Sequence, residues 1–587
     1  MSTDAFAALP ERPYYAVIFF SQCAADGALD DDGYGAAHGR TGRHAASLPG
    51  RRKYARRRCP LTCLLMVYRA ETTLGPRGGN STPVSTTGTT MAAHGNIYRS
   101  GDNPPTSKFY DQGKFGRLFG NLPPFSLDTP SVRSALKKLG AKDGIMDAKD
   151  PLTEHPAALV VNPALFVNNP DNPDQTAGMT FLGQFLDHDL TLDITSSLEQ
   201  QVDPEMIQNF RVPTFGLDSV YGQGPAGSPH LYDQFVDDGR TTMLVEPNVG
   251  SAALTRDGVE KFDVPRNSQQ TPLVGDPRND ENIILSQLQV AFLRFHNACV
   301  AHVKTEFGLT HPTEVFAEAQ RLTRWHYQWI ILHEFLPKTI GQPMVDDILT
   351  KGRKFYKWRN APYIPVEFSV AAYRFGHSQV RPSYRVNFGP DDANQFFALI
   401  FNDGLAVNPV ADDMRGGTRA PNRFIDWQTF FDFGDVPPRV RNNKRIDAKL
   451  STVLFDLPGI PGAEPQSLAT RNLLRHLTFK IPSGQRVAAA MGLPPLPVAD
   501  LAALKPLGLH LRTPLWFYCL READVMADGK RLGPVGGRIV GEVMIGVLQG
   551  DPMSYLIQEP DWSPTLTTTG QFTMVDLLRF AGVVTVL

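Results

Sequence analysis

Three polar side chains that could take part in chemistry lie close together in the apolar segment 181–190. Gln184, Asp187 and His188 fall at i, i+3 and i+4, so in a helix they share one face. Polar groups left without partners in a core are costly, and the sequence therefore predicts that a further polar group meets this face. The apolar residues recur at three- and four-residue intervals, as in a core helix: Phe181, Leu182, Phe185, Leu186 and Leu190.

A second segment with functional residue types is Gly275–Asn282 (GDPRNDEN), directly before an apolar run. We expect the Gly-Asp-Pro turn to start a helix whose first turn holds Arg278 and Glu281. Acidic residues at this end stabilise a helix, so capping alone would explain Asp280 and Glu281. Capping does not explain Arg278, which is therefore a candidate functional residue.

Two later segments add a histidine and an amide. In Ala371–Ser378, Gly376 precedes His377 and removes a side chain, so that a flat ligand could approach the imidazole closely. Taken alone, such a histidine is more often a core residue than a ligand. Segment Ser467–Arg475 predicts a helix that carries Asn472.

Together, the four segments resemble, in the same order, those of the animal-type haem peroxidases, the superfamily of myeloperoxidase and the cyclooxygenases. The resemblance covers roughly residues 107–587. It implies a mainly α fold: one large helical haem-peroxidase domain, placed here at 96–587, with long loops and few short strands. The stretches Arg512–Phe517 and Gly533–Arg538 indicate a bacterial branch of the family.

The resemblance also implies roles on the peroxide side of the haem. His188 would take a proton from hydrogen peroxide and return it to the departing oxygen. Arg278 would stabilise the charge that develops as the O–O bond breaks. Gln184 could orient water or a halide. The expected activity is reduction of hydrogen peroxide with oxidation of a small donor, and phenols, halides and thiocyanate all remain open.

Other residues would hold haem b. By the resemblance, His377 is the axial ligand of the iron, and Asn472 accepts a hydrogen bond from its other ring nitrogen. Arg374 is a candidate partner of a haem propionate. Asp187 and Glu281 match the two carboxylates that form ester bonds to haem methyls in the family, which predicts covalent attachment.

A calcium site is the third implication. Asp189 matches a calcium ligand of the family, and Thr214, Asp218 and Ser219 supply further oxygen donors of the kind that Ca²⁺ prefers. Gly216 stands where an acidic side chain is expected, so the site would be weaker or differently ligated. A turn next to a helix, with Asp218 as its cap, is the alternative explanation.

Two rival functions are considered. A fatty-acid dioxygenase of the same superfamily needs a tyrosine three residues before the proximal histidine, but position 374 is arginine and Tyr373 is one residue away. His188 and Asp189 could instead be the His-Asp pair of a metal phosphohydrolase, although no other histidine pairs convincingly with an aspartate.

Residues 1–95 differ from the rest and are treated as an atypical N-terminal segment, partly disordered or mistranslated. Tyr14–Phe20 reads as a strand, Arg51–Arg58 as a basic run of a disordered tail, and 78–90 as low-complexity sequence. Since periodic patterning stops abruptly after the strand, much of the segment could be a shifted reading frame, with Met91 the natural start.

Composition and local sequence patterns argue against several classes of protein. The chain of 587 residues has a formal net charge of −2, which gives no general attraction to nucleic acid. No apolar run approaches the length of a membrane span, and no signal peptide is recognised. Cys59 and Cys63 could form half of a zinc site, but nothing nearby completes it. A cytoplasmic setting is expected, or export without a classical signal; the oligomeric state stays open.

Overall fold

The computed structural model describes residues 113, 115–193, 196, 198, 201–358, 361–401, 414–457 and 465–586. The predictions for Tyr14–Phe20, the basic run and the Cys59–Cys63 pair lie outside this part, and the boundary between residues 95 and 96 stays a prediction. Within it the architecture is mainly α with a few short strands, as predicted. No helix of the described residues is both long and apolar enough to cross a bilayer.

Helices of three kinds make up most of the described fold. The α-helices are Pro130–Leu139, Pro156–Val161, Ala177–Leu190, Asp218–Tyr221, Gly224–Gly227, Ile283–Glu306, Pro312–Ile330, Leu336–Ile340, Gln342–Lys351, Leu468–Thr478, Gly484–Ala490, Leu515–Ala527, Pro534–Gly550, Tyr555–Gln558 and Met574–Phe580. The 3₁₀ helices are Pro163–Leu165, Pro204–Met206, Pro229–Leu231, Asp237–Gly239, Ser251–Leu254, Pro277–Asp280, Ala372–His377, Trp427–Thr429, Thr452–Phe455 and Val498–Leu507. Two segments are π-helical: Ile331–Phe335 and Glu367–Ala371.

Several helix boundaries follow the sequence closely. The sequence predicts helices from Asn282 to about Phe307 and from Ser467 to Leu477. The structure has them at Ile283–Glu306 and Leu468–Thr478. The sequence predicts a short helix at Ser131–Leu139 with Ser131 as its candidate cap. The helix Pro130–Leu139 is instead capped by Thr129, whose Oγ1 accepts from the Val132 amide at 3.3 Å. Leu515–Ala527 was not predicted as a helix, because nearly every residue of its first turns is buried and no polar face marks the period.

The strands form two-stranded pairs: Phe115–Gly116 with Ile364–Pro365, Asp171–Thr176 with Asn442–Lys444, Glu246–Pro247 with Phe262–Asp263, and Ser383–Asn387 with Phe396–Leu399. The first pair is parallel and the others are antiparallel. The second pair matters most for the site. Asp171 aligns with Lys444 and Thr176 with Asn442, and the chain then enters the helix Ala177–Leu190 directly.

All 14 residues of the helix Ala177–Leu190 are buried. Phe185 stacks on Phe292 of the helix Ile283–Glu306, with ring centroids 4.8 Å apart and planes inclined by 5°. Gly178 lies against Phe431, where an added Cβ would come within 2.5 Å of the ring. Since close packing surrounds the helix, its polar side chains can be partnered only by groups that the fold brings to them.

Candidate active site

His188 is fully buried in the helix Ala177–Leu190. Its Nδ1 lies 2.8 Å from Oδ1 of Asn279, and its Nε2 is buried without a hydrogen-bond partner. Burial, followed by the charge of Arg278, lowers the pKa of His188 to about 3. The imidazole is therefore neutral at ordinary pH.

Arg278 lies in the 3₁₀ helix Pro277–Asp280, so the expectation that it sits in the first turn of the long helix is wrong. That α-helix begins at Ile283. Its cap is Asn282, whose Oδ1 accepts from the amides of Ile284 at 3.1 Å and Leu285 at 3.0 Å. A separate tight turn therefore positions the arginine.

Asp276 anchors that arginine. Its carboxylate accepts from Arg278 Nε at 3.1 Å and Nη2 at 2.8 Å, and it also pairs with Arg211. Burial alone would raise the pKa of Asp276, but the two guanidinium groups hold it well below its usual range. Arg278 Nη2 also donates to the carbonyls of His188 and Thr191, while Nη1 is buried without a hydrogen-bond partner.

The two acidic residues that follow the arginine have partners that helix capping does not explain. Asp280 binds Arg266 through two contacts of 2.7 Å. Glu281 accepts from Nε2 of Gln184 at 3.2 Å, so two of the predicted segments meet here. Oε1 of Gln184 is buried without a hydrogen-bond partner. Both carboxylates therefore have specific side-chain partners in addition to their position near the start of a helix.

Asp187 connects this part of the molecule with the segment of His377. Burial raises the pKa of Asp187 to about 6, and the charges of Arg278 and of Arg374 both act in the opposite direction. The carboxyl group of Asp187 therefore lies within electrostatic range of two arginines that belong to different motifs.

His377 ends an irregular segment, in which the π-helical turn Glu367–Ala371 passes into the 3₁₀ helix Ala372–His377. The structure brings it to Asn472, as predicted, but with the amide reversed. Asn472 Nδ2 lies 2.6 Å from Nδ1 of His377, so Asn472 donates and does not accept. The cause is Arg374, whose Nη1 donates to Oδ1 of Asn472 at 3.0 Å.

Arg374 is also buried, and burial lowers its pKa to about 10. Its Nε donates to the carbonyl of Ser369 at 2.9 Å, and Trp516 Nε1 donates to its own carbonyl at 3.1 Å. The Trp516 ring meets His377 edge to face, with centroids 6.2 Å apart. The structure thus shows the proposed propionate partner engaged with the Asn472 amide, a contact that the sequence did not predict.

The four predicted calcium ligands share one property. Each has a buried side-chain oxygen without a hydrogen-bond partner: Asp189 Oδ1, Thr214 Oγ1, Asp218 Oδ1 and Ser219 Oγ. The second Asp189 oxygen accepts from the Leu217 amide at 2.9 Å. Burial and then the neighbouring Asp218 raise the pKa of Asp189 to about 7. At Gly216, the backbone carbonyl accepts from Arg324 Nε at 2.8 Å.

The rival functions have less support from the geometry. His188 faces Asn279 while Asp189 faces Leu217, so the pair does not converge on one point. Among the described residues, no three histidine, cysteine or acidic side chains cluster in a way that could hold a metal ion. The hydroxyl of Tyr373 donates to the Gly183 carbonyl at 3.0 Å, and position 374 is the buried arginine.

Comparison with known proteins agrees with the motifs. Residues 213–426 match the family model described as animal haem peroxidase. Probable oxidoreductase PXDNL of Homo sapiens is 29% identical over 177 residues, which cover 29% of this chain and 12% of the relative. Chorion peroxidase of Aedes aegypti is 26% identical over 507 residues, covering 73% of this chain and 60% of the relative.

Among solved structures, peroxidase A from Dictyostelium discoideum shares the fold with a TM-score of 0.50 at 17% identity, covering 80% of this chain and 94% of that chain. The chain spans less than two thirds of the curated relatives named here. The resemblance predicted from the motifs is confirmed over residues 213–426, which match the animal haem peroxidase model. The assignment of the chain to a bacterial branch stays a prediction.

Proposed function

We propose that the chain is a haem peroxidase that reduces hydrogen peroxide and oxidises a small donor such as a phenol, a halide or thiocyanate. One observation carries the proposal. His188 Nε2, Arg278 Nη1 and Gln184 Oε1 are all buried polar atoms without a hydrogen-bond partner, and they belong to the residues that the family motifs select. Hydrogen peroxide offers both a donor and acceptors, and it would satisfy all three atoms at once.

Residues from several of the four sequence segments would hold the haem. His377 would bind the haem iron through Nε2, which requires a proton on Nδ1 and therefore an Asn472 amide turned to accept it. Arg374 would lie near a propionate. Bound haem would supply the redox chemistry that couples reduction of peroxide to oxidation of the donor. Asp187 and Glu281 would form ester bonds to haem methyls. The contact between Glu281 and Gln184, which joins two of the motif segments, supports this role.

The protein side of the reaction then follows from three groups. Neutral His188 would accept a proton from hydrogen peroxide at Nε2 and later deliver it to the departing oxygen. Arg278 would donate from Nη1 to the peroxide anion, with its position fixed by Asp276. Gln184 would hold a water with Oε1, whereas a halide would need its Nε2, which donates to Glu281. Burial of all three excludes bulk water and strengthens these interactions.

An absorbance spectrum with haem tests the first step. We expect the full chain to give a Soret band when haem is added, and His377→Ala to lose it, whereas His230→Ala at an exposed position should keep it. Peroxide-dependent oxidation of a phenol should follow the Soret band. Oxygen uptake with an unsaturated fatty acid, in place of phenol oxidation, would favour the dioxygenase instead.

Covalent attachment has its own test. After treatment with peroxide, acid acetone should leave haem on the wild-type chain. The double variant Asp187→Asn/Glu281→Gln should release all of it. Complete extraction from the wild type would contradict the ester bonds while leaving the peroxidase proposal intact.

We also propose that Asp189, Thr214, Asp218 and Ser219 bind Ca²⁺. Their four buried oxygens support this, since oxygen donors of mixed charge suit that ion. Elemental analysis of dialysed protein should find calcium in the wild type and in the exposed-site control Asp238→Asn. Asp189→Asn should lose it, and equal calcium in all three would count against the site.

A further inference from the structure

The geometry points to Asn279 and Gln289 as positioning residues that fix the ring proton of His188 on Nδ1 and so keep Nε2 available as the base. This inference deepens the proposed function and rests on it. Neither residue was among those selected from the sequence. Both lie outside the direct path of a proton between peroxide and His188, and they act through the imidazole alone.

The contact with Asn279 determines which ring nitrogen of His188 carries the proton. Asn279 presents its amide oxygen to His188 Nδ1 at 2.8 Å. An amide oxygen can only accept a hydrogen bond, so Nδ1 must be the protonated nitrogen. In a neutral imidazole, Nε2 then carries the lone pair, and this is the nitrogen that is buried without a partner.

Gln289 orients the amide of Asn279. Its Nδ2 donates to Oε1 of Gln289 at 2.8 Å. With the amide nitrogen held there, the oxygen has to face His188. All three side chains are buried, so water does not compete for these positions. The chain of contacts therefore transmits an orientation from Gln289 to His188.

The three residues belong to three different elements of the fold, so their contacts form only where these elements pack together. His188 lies on the helix Ala177–Leu190, Asn279 in the 3₁₀ helix Pro277–Asp280, and Gln289 on the helix Ile283–Glu306. Asn279 directly follows Arg278. The same short turn thus positions both the arginine that would stabilise the peroxide anion and the amide that fixes the ring proton of His188.

A reversed amide would remove the base. If Nδ2 of Asn279 faced His188, then Nδ1 would have to accept, and the ring proton would move to Nε2. An N–H at that nitrogen cannot take a proton from hydrogen peroxide. The identity of the atom that Gln289 presents to Asn279 therefore decides between a competent and an incompetent histidine.

Kinetics of the haem-loaded full chain test this role with five variants. Asn279→Leu and Gln289→Leu should each slow peroxide reduction by about 10- to 100-fold at unchanged haem content, which is the usual effect of losing an outer hydrogen-bond partner. Asn279→Asp should retain the rate, because either carboxylate oxygen accepts. The double variant Asn279→Asp/Gln289→Leu should recover it as well. Gln287→Leu is the matched control, since Gln287 lies on the same helix and donates to the Phe262 carbonyl.

Rescue by the carboxylate separates positioning from a structural role, because damage to packing by Gln289→Leu would persist in the double variant. Rates of both leucine variants within twofold of the wild type would overturn the proposal. So would a double variant as slow as Gln289→Leu, provided that urea unfolding shows Asn279→Asp to be folded.

A readout independent of peroxidase activity is the tautomer itself. In the full chain labelled with ¹⁵N-histidine and measured before haem is added, the signal of His188 is identified by its loss in His188→Ala. We expect Nδ1 to be protonated in the wild type and the proton to shift towards Nε2 in Asn279→Leu. This result together with a wild type that reduces no peroxide would support the positioning and defeat the proposed function. A wild-type His188 protonated on Nε2 would overturn the positioning.

Discussion

Two buried histidines in this molecule each have an asparagine at Nδ1, and the two amides face them in opposite ways. Asn279 turns its oxygen to His188, whereas Asn472 turns its nitrogen to His377. The difference lies in a third residue. Gln289 accepts from Asn279, while Arg374 donates to Asn472. The comparison teaches that the neighbour behind an asparagine decides whether the amide acts as acceptor or donor, so identical residue types can give opposite chemistry.

The largest effect should separate the roles of the two histidines. His188→Ala should slow peroxide reduction by about 10²- to 10⁴-fold, the contribution of a positioned general base, while haem stays bound. His377→Ala should instead lose the haem. Haem content by absorbance and the rate of peroxide consumption measure the two properties separately. A loss of haem in both variants would mean that His188 also holds the cofactor and would remove the distinction between the two sides.

The next prediction compares the arginines on the two sides. Arg278 binds the buried carboxylate of Asp276, whereas Arg374 donates to an amide oxygen and a backbone carbonyl. Arg278→Met leaves Asp276 with less charge compensation and should cost about 3–5 kcal/mol of unfolding free energy, as for a broken buried ion pair. Arg374→Met should cost about 1–3 kcal/mol, as for hydrogen bonds lost in a core.

Urea unfolding without added haem measures both costs, and Arg240→Met at an exposed ion pair serves as control. An exposed pair contributes little, so the control should stay within about 1 kcal/mol of the wild type. Equal losses of unfolding free energy in Arg278→Met and Arg374→Met would mean that the ion pair with Asp276 stabilises the fold no more than the hydrogen bonds of Arg374.

Most of the candidate site residues could be predicted from the sequence. The contacts that orient the two asparagines could not. The helix Ala177–Leu190 followed from its 3.6-residue period, because spacing within one regular element determines which side chains share a face. Arg278, His377 and Asn472 followed from motif order. Spacing gave no access to Asn279 and Gln289, since a 3₁₀ turn and a capped helix start lie between them and break the register.

The surroundings of His377 were harder to predict for the same physical reason. His377 lies on π-helical and 3₁₀ turns, where the angular relation between successive side chains differs from that of an α-helix. The contact between Arg374 and Asn472 joins residues 98 positions apart. The reversed amide of Asn472 depends on that contact and on nothing within its own helix.

A third prediction asks whether each asparagine serves only its own histidine. Asn472→Leu should weaken haem binding by about 10- to 100-fold, since a ligand histidine loses the partner that orients it. Asn279→Leu should leave haem affinity unchanged. Haem titration of the two variants, followed at the Soret band, gives both affinities. Equal weakening in both would show that the two asparagines share one structural role, contrary to the comparison.

The smallest effect on activity should come from pH. Burial and the charge of Arg278 lower the pKa of His188 from its usual 6.5 to about 3, so this group should not limit peroxide reduction between about pH 4 and 7. Stability should behave differently. As pH falls below about 6.5, the unfolded chain binds a proton at His188 and the folded chain does not, so the wild type loses stability relative to His188→Gln.

The size of that loss follows from one proton per molecule. Between pH 7 and pH 5 the stability difference between wild type and His188→Gln should change by about 2 kcal/mol, at about 1.4 kcal/mol for each pH unit below the ordinary pKa. Urea unfolding at the two pH values measures it, and His230→Gln, at an exposed position, should follow the wild type throughout. A difference that stays constant with pH would mean that His188 takes up protons equally in the folded chain. The imidazole would then be exposed to charge or water that the buried contacts with Asn279 exclude, and His188 could not serve as a neutral base with a fixed ring proton.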